Sequence, residues 1–225
     1  ETLYPRGKTL GGSSSINGLL YLRGHPEDYD HWAELGNRGW AWGDVLPYFV
    51  KGEANVRGAD AFHGADGEIG VSDVNVRHEL ADAFIESCVQ AGIPRNEDFN
   101  GASQEGAGYY QFTTWRGRRS STATGFLRPV RSRANLRVET DAPARRILFD
   151  GNRASGVAYD QHGQTHEARA ERDLIISAGA IQSPQQLQLS GIGDEEVLRA
   201  NGVTVVKHLP GVGRNFQDHL QVRLI

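Results

Sequence analysis

Between Leu136 and Ala170 the chain alternates apolar and polar residues in four short runs, Leu136 to Thr140, Arg146 to Phe149, Ala154 to Tyr159 and Thr165 to Ala170. Asp150-Gly151-Asn152 and Asp160-Gln161-His162-Gly163 punctuate them with residues that accept the backbone of a tight hairpin turn. That spacing predicts a β-meander. It is followed by the unbroken apolar run Asp173-Leu174-Ile175-Ile176-Ser177, then Ala178-Gly179-Ala180, then a helix-like run around Gln185 to Leu189. Strand, turn and helix in that order predict a buried sheet. The fold class is therefore α+β, or mixed α/β.

The first half adds helices and loops. Residues 6 to 24 pass from a glycine-serine loop into an apolar stretch whose pattern fits a helix or an extended chain. Pro26-Glu27-Asp28 places proline and acids in a first helical turn, with Trp32, Ala33 and Leu35 behind and Gly36-Asn37 as the stop. Asp44 is the expected cap of a second helix through Val45, Leu46, Tyr48 and Phe49, and the two form a helical hairpin. Asn55 to Val71, rich in Gly, Asp and Ala, reads as loop. His78 to Ala91 spaces Leu80, Phe84, Ile85, Cys88 and Val89 for an amphipathic helix, so Cys88 is expected to be a buried small hydrophobe rather than a reactive thiol.

Bulk properties exclude several classes. At 225 residues and 38% hydrophobic the chain is long enough for a substantial core. A net charge of −4 with scattered Lys and Arg gives no field for nucleic acid. No apolar run approaches the roughly 18 residues of a membrane span, so no membrane insertion is expected. One cysteine excludes an intrachain disulfide and a cysteine metal cluster, and favours a cytoplasmic location. No histidine cluster has ligand spacing, so no metal site is expected. Ser120 and Ser121 beside Arg118 lack a nucleophile elbow and a base, which rejects a serine hydrolase. The chain holds no methionine, and its glycine-rich loop begins almost at once. It is expected to be an internal piece of a longer protein.

Gly11-Gly12-Ser13-Ser14-Ser15 has the composition to bring backbone amides close to an anionic or electron-rich ligand. Composition alone favours a flexible turn or a helix cap. The full stretch from Gly7 to Gly24, GKTLGGSSSINGLLYLRG, completed by Asp30, resembles the first signature of the glucose-methanol-choline (GMC) oxidoreductases. Gly179 to Gly193, GAIQSPQQLQLSGIG, is similar to the second, departing where Gln186 replaces an aliphatic residue. Between and after them, Phe62-His63-Gly64 with Asp66-Gly67, Asp98-Phe99-Asn100-Gly101, Gly117-Arg118-Arg119-Ser120-Ser121 and Leu209 to His219 also resemble the family, nearest its choline-dehydrogenase-like branch.

The resemblance implies an FAD-dependent enzyme that passes hydride from a primary alcohol to flavin N5. It implies that Gly12 and Ser13 approach the diphosphate-ribityl part of FAD, that Asn17, Gly18, Leu19 and Leu20 line the isoalloxazine, that the main chain of Ala144 contacts adenine, and that Ala178 and Gly179 end a strand near the cofactor. Ile16 stands where the choline oxidases of the family carry the histidine that tethers the flavin, so the FAD is expected to be non-covalent. Structural roles are expected for His63 and His219.

The family's Gly-x-Gly-x-x-Gly dinucleotide motif is absent from this sequence, and its catalytic base is expected beyond residue 225, so no catalytic residue is assigned and the chain alone is expected to be inactive. The resemblance divides the chain between part of an FAD-binding Rossmann-like domain, residues 1–50 and 134–215, and part of an antiparallel-sheet substrate domain, residues 51–133 and 216–225. Expected partners are a small alcohol, an electron acceptor that the sequence leaves open, and the missing parts of the enzyme. Two rival readings are a hydroxynitrile-lyase-like enzyme whose FAD does no redox work, separable by anaerobic flavin reduction, and a non-catalytic ligand-binding fragment, separable by the absence of bound FAD.

Overall fold

The computed structural model describes residues 4–219. They fall into two compact units that divide between Arg137 and Val138, and helices and short sheets occur in both, as a mixed α+β chain requires.

The first unit opens with a 3-10 turn, Gly12–Ser15, and continues irregularly to Arg23 with a single bridge at Leu20. Helix α1, Pro26–Glu34, starts in a capping box in which the Glu27 amide donates to His25 Nδ1 and the His25 amide to Asp28 Oδ2. Helix α2 runs Trp42–Gly52. Asp44 lies inside its first turn rather than at its cap, because Asp30 of α1 reaches across and accepts from the Trp42 amide at 2.8 Å. Tyr29 packs between the helices, its ring 5.5 Å from Trp42 and 5.9 Å from Phe49, so the helical hairpin is present.

Asn55 to Val71 is not all loop. Its ends belong to β1, Glu53–Asn55, and β2, Ile69–Val71, which pair in parallel. Gly64 allows the intervening loop to close: a Cβ there would lie 1.9 Å from the Val50 carbonyl oxygen. Phe112 bridges Ser72 on one side and Leu20 on the other, both antiparallel, and so joins β2 to the segment after the glycine-serine loop. Helix α3, Glu79–Gln90, has the expected extent. Its apolar stripe is only partly covered: Ile85 is buried, Cys88 half-buried, and Leu80 and Phe84 exposed. A hairpin of β3, Thr114–Trp115, and β4, Arg118–Arg119, turns through Arg116 and Gly117 at φ 50° and 74°. A π-helical turn follows at Ala123–Leu127.

In the second unit β5, Ala144–Asp150, β6, Arg153–Gln161, and β7, Gln164–Arg169, form an antiparallel meander in chain order. His162 and Gly163 take φ 52° and 77°, as a two-residue hairpin turn demands. The first expected strand, Leu136 to Thr140, forms no ladder; Thr140 is tied to the meander instead by a 3.0 Å bond from Gln161 Nε2 to its carbonyl. Asp173 to Ser177 is not a strand either, and Ile175 is 85% exposed. An apolar strand of a parallel sheet takes its hydrogen bonds from flanking strands, and none among the described residues pairs with it. Helix α4, Gly179–Leu189, packs on β5; β8, Ile192–Gly193, pairs in parallel with β9, Lys207–His208, and α5, Glu195–Ala200, lies between them in the chain. Ile147, Ala158 and Leu198 form the buried apolar centre. The substrate-side assignment of 216–225 falls partly on residues 220–225, outside the described residues.

Candidate functional site

Two networks inside the first unit fix the segment from Gly11 to Arg23. The first is a docking of Arg119–Thr122 along the glycine-serine loop. Arg119 donates to Asn17 Oδ1 at 2.6 Å, to the Asn17 carbonyl at 2.8 Å and to the Ser14 carbonyl at 3.2 Å. The Thr122 amide donates to Ser14 Oγ at 3.0 Å. Ser120 and Ser121, set aside as nucleophiles, are buried connectors: Ser120 Oγ accepts from the Gly70 amide at 2.9 Å, and Ser121 exchanges bonds with Thr124.

The second network is a buried ion cluster. Arg23 donates to Glu53 at 2.6 Å and to the Phe62 carbonyl at 2.6 Å. His63 meets Glu53 through Nδ1 at 3.1 Å and Asp98 through Nε2 at 2.9 Å. Asn55 Nδ2 also lies 3.1 Å from His63 Nδ1, but its two protons are taken by Glu53 Oε1 and Gln111 Oε1. A carboxylate at each ring nitrogen favours the imidazolium form of His63. The hydrogen bond to Glu53, helped by that to Asp98 and opposed by burial, raises its pKa above the ordinary 6.5. Arg23 Nε has no hydrogen-bond partner among the described residues; the guanidinium instead lies 5.3 Å from the centroid of the Phe49 ring. Asn100 closes the cluster, accepting from the Arg23 amide at 2.8 Å and donating to the Tyr21 carbonyl at 2.9 Å. His63 therefore has the structural role expected of it. His219 is exposed, its amide bonded to Asp218.

Held this way, the loop presents an open edge. Gly12 has φ 53°, which a glycine accepts without strain. Ser13, Asn17 and Gly18 are exposed and Leu20 is 50% exposed. Leu19 carries φ 70°, a left-handed backbone that costs an L-residue about 1–2 kcal/mol, and strain of that kind concentrates at ligand sites. A Cβ on Gly18 would meet nothing within 4 Å, and its φ is not in the left-handed range. Neither the local backbone nor internal packing requires glycine there, whereas a planar ligand lying against the main chain would. Neither the Gly18 nor the Leu20 amide bonds within the described residues. The edge therefore leaves two backbone amides open to a ligand.

Gly12, Ser13, Asn17, Gly18, Leu19 and Leu20 thus lie together on one continuous segment. Ala144, Ala178 and Gly179 belong to the second unit. Ala144 begins β5 opposite Tyr159, Ala178 caps α4 with its amide on Ser183 Oγ at 3.0 Å, and Gly179 takes φ 89°. All three are exposed. Gln186, the departure from the second signature, leaves its Nε2 buried with no partner among the described residues. Those residues contain no group of three or more His, Cys, Asp or Glu able to hold a metal ion, and no helix long and apolar enough to cross a membrane.

Comparisons with known proteins bear on the same segments. Human mitochondrial choline dehydrogenase is 48% identical over 219 residues, 97% of this chain and 37% of that protein. Pyridoxine 4-oxidase from Mesorbium loti superposes with a TM-score of 0.90 at 35% identity, covering 95% of this chain and 42% of the other. An FAD-dependent oxidoreductase from Chaetomium thermophilum gives a TM-score of 0.89 at 31% identity, covering 95% and 39%. This chain thus spans well under half the length of its relatives. The GMC oxidoreductase family model matches residues 1–221, nearly the whole sequence, and the chain belongs to the GMC oxidoreductase family.

Proposed function

We propose that the protein to which this chain belongs is an FAD-dependent oxidoreductase acting on the CH–OH group of a primary alcohol, and that Gly12, Ser13, Asn17, Gly18, Leu19 and Leu20 form its flavin-facing edge. The observation that carries this reading is Gly18: a glycine with open space on its Cβ side, beside a strained Leu19, in a loop buttressed from behind. Family membership and the relatives named above support it.

When bound, FAD supplies the acceptor, at flavin N5, for the hydride leaving the alcohol carbon. The chain's own residues bind and orient. Gly12 and Ser13 approach the diphosphate-ribityl region, and Asn17 to Leu20 line the isoalloxazine. The unpartnered amides of Gly18 and Leu20 offer donors to negative charge developing there. Ile16, 52% exposed, carries no atom that bonds covalently to a flavin, which supports non-covalent binding. The Ala144 main chain is assigned to adenine, and Ala178 with Gly179 to the cofactor. The alcohol proton is assigned to a base outside this sequence.

The same reading gives residues 1–50 and 134–215 to the FAD side and 51–133 and 216–225 to the substrate side. Choline, from the name of the human relative, is the first substrate to test.

The deciding experiment is anaerobic mixing of the holoenzyme with choline and a panel of primary alcohols. Bleaching of oxidised-flavin absorbance by at least one alcohol is the expected result. An unchanged spectrum across the panel, with cyanohydrin cleavage in its place, would overturn the oxidoreductase assignment.

A further inference from the structure

Arg119 grips the segment from Ser14 to Asn17 at three points. It reaches Asn17 across 102 residues of sequence and holds both its side-chain oxygen and its carbonyl. Asn17 Oδ1 also accepts from the Leu19 amide at 3.2 Å, and the Leu19 carbonyl accepts from the Thr113 amide at 2.8 Å and from Thr113 Oγ1 at 3.1 Å. The left-handed Leu19 is thereby pinned from both ends, with Asn17 Oδ1 at the upstream end and Arg119 fixing that oxygen. Without Arg119, the Asn17 side chain would be free to rotate and release the Leu19 amide, and the cost of the left-handed backbone would favour relaxation of Leu19 toward ordinary φ. Such a change re-aims the amides of Gly18 and Leu20.

We propose that Arg119 is a positioning residue for the bound flavin: acting through Asn17, it sets the conformation of Gly18 to Leu20 and so tunes the reduction potential of FAD. The inference rests on the flavin reading of this loop. Its mechanism is a two-point clamp rather than a nearby positive charge. A lysine keeps the charge and loses the planar fork, and the adjacent Arg118 is exposed with no bond to the loop.

The test uses the FAD-loaded holoenzyme carrying Arg119→Lys, Arg119→Gln, Asn17→Ala, the Asn17→Ala/Arg119→Gln pair, or Arg118→Gln. The readout is the flavin midpoint potential measured against a reference dye, with FAD release measured alongside. Arg119→Lys and Arg119→Gln should each lower the two-electron equilibrium constant for flavin reduction about tenfold or more, a shift of about −30 mV. Asn17→Ala should give a similar shift, the pair no more than either single change, and Arg118→Gln none. A wild-type potential in Arg119→Lys would overturn the clamp, as would additive shifts in the pair. Collapse of both Arg119 variants to unfolded protein would also overturn it, since Arg119 would then support the fold at large. A wild-type protein that binds no FAD sinks the proposed function and this inference together; a flavin whose potential ignores Arg119 sinks the inference alone.

Discussion

Glu53 is the fully buried centre of the ion cluster, and its replacement by glutamine has a cost that can be worked from its neighbours. Its Oε1 accepts from Asn55 and faces His63 Nδ1; its Oε2 accepts from Arg23 and, at 3.3 Å, from the Gly64 amide, and lies 3.2 Å from the same His63 nitrogen. Donors surround both oxygens. A glutamine amide therefore puts an N–H against an N–H in either flip state, while Arg23 loses its counter-charge in a site where its side chain is 1% exposed. Breaking a buried ion pair from one side costs about 3–5 kcal/mol, a large fraction of the roughly 5–15 kcal/mol that holds a domain together. Urea unfolding followed by tryptophan fluorescence isolates the effect, because all four tryptophans, Trp32, Trp40, Trp42 and Trp115, lie in the first unit. Glu53→Gln should lower the midpoint by roughly 2 M at a typical urea slope. In an Arg23→Met background the same change should cost at least about 1 kcal/mol less, as coupled partners require. A Glu53→Gln protein within about 0.5 kcal/mol of wild type, the range of an uninvolved surface change, would refute the view that the cluster is a charge-balanced unit.

Three further outcomes are expected. Since the folded state raises the pKa of His63, its contribution is complete below about 6.5, the unfolded value, and is lost as pH rises through the higher folded value; urea midpoints of the first unit should fall from pH 6 to 9, and His63→Gln should flatten that slope. Gln186→Leu removes a buried amide nitrogen that has no partner among the described residues and restores the aliphatic side chain of the signature; calorimetry should show stabilisation of about 1–3 kcal/mol, and a loss would show that Gln186 has a partner elsewhere in the protein. Gly18→Ala places a methyl in open space, so unfolding should stay within about 0.5 kcal/mol of wild type while the dissociation constant for FAD rises about tenfold, as expected for about 1.4 kcal/mol.

The elements legible in the sequence were those written locally. The turns at Gly151 and Gly163 fix the meander by their own backbone preferences, and α1 and α3 carry their boundaries in Pro26, Gly36 and His78. What escaped depended on distant partners. The β1–β2 pair is three residues long on each side and separated by a loop, too short for any periodicity to show. Asp173 to Ser177 has the composition of a strand but no neighbour to pair with, and Asp44 lost the capping position to a side chain from the preceding helix. The candidate site divides the same way. Its glycines and Asn17 stand in one recognisable stretch, whereas Arg119, 102 residues on, and the meeting of Arg23, Glu53, His63 and Asp98 become visible only when the loops are folded together. The family-like segments Phe62-His63-Gly64 and Asp98-Phe99-Asn100-Gly101 were a usable signal: a histidine and an aspartate in two polar loops, beside the Arg23 of the first signature.

Whether the loop from Gly12 to Leu20 holds FAD, and holds it without a covalent bond, is read from the absorption spectrum of the purified protein before and after acid precipitation. Oxidised-flavin bands are expected in the native protein, and all the flavin is expected in the supernatant once the protein is precipitated. Flavin that stays with the pellet, or a native protein with no flavin bands, would contradict that reading.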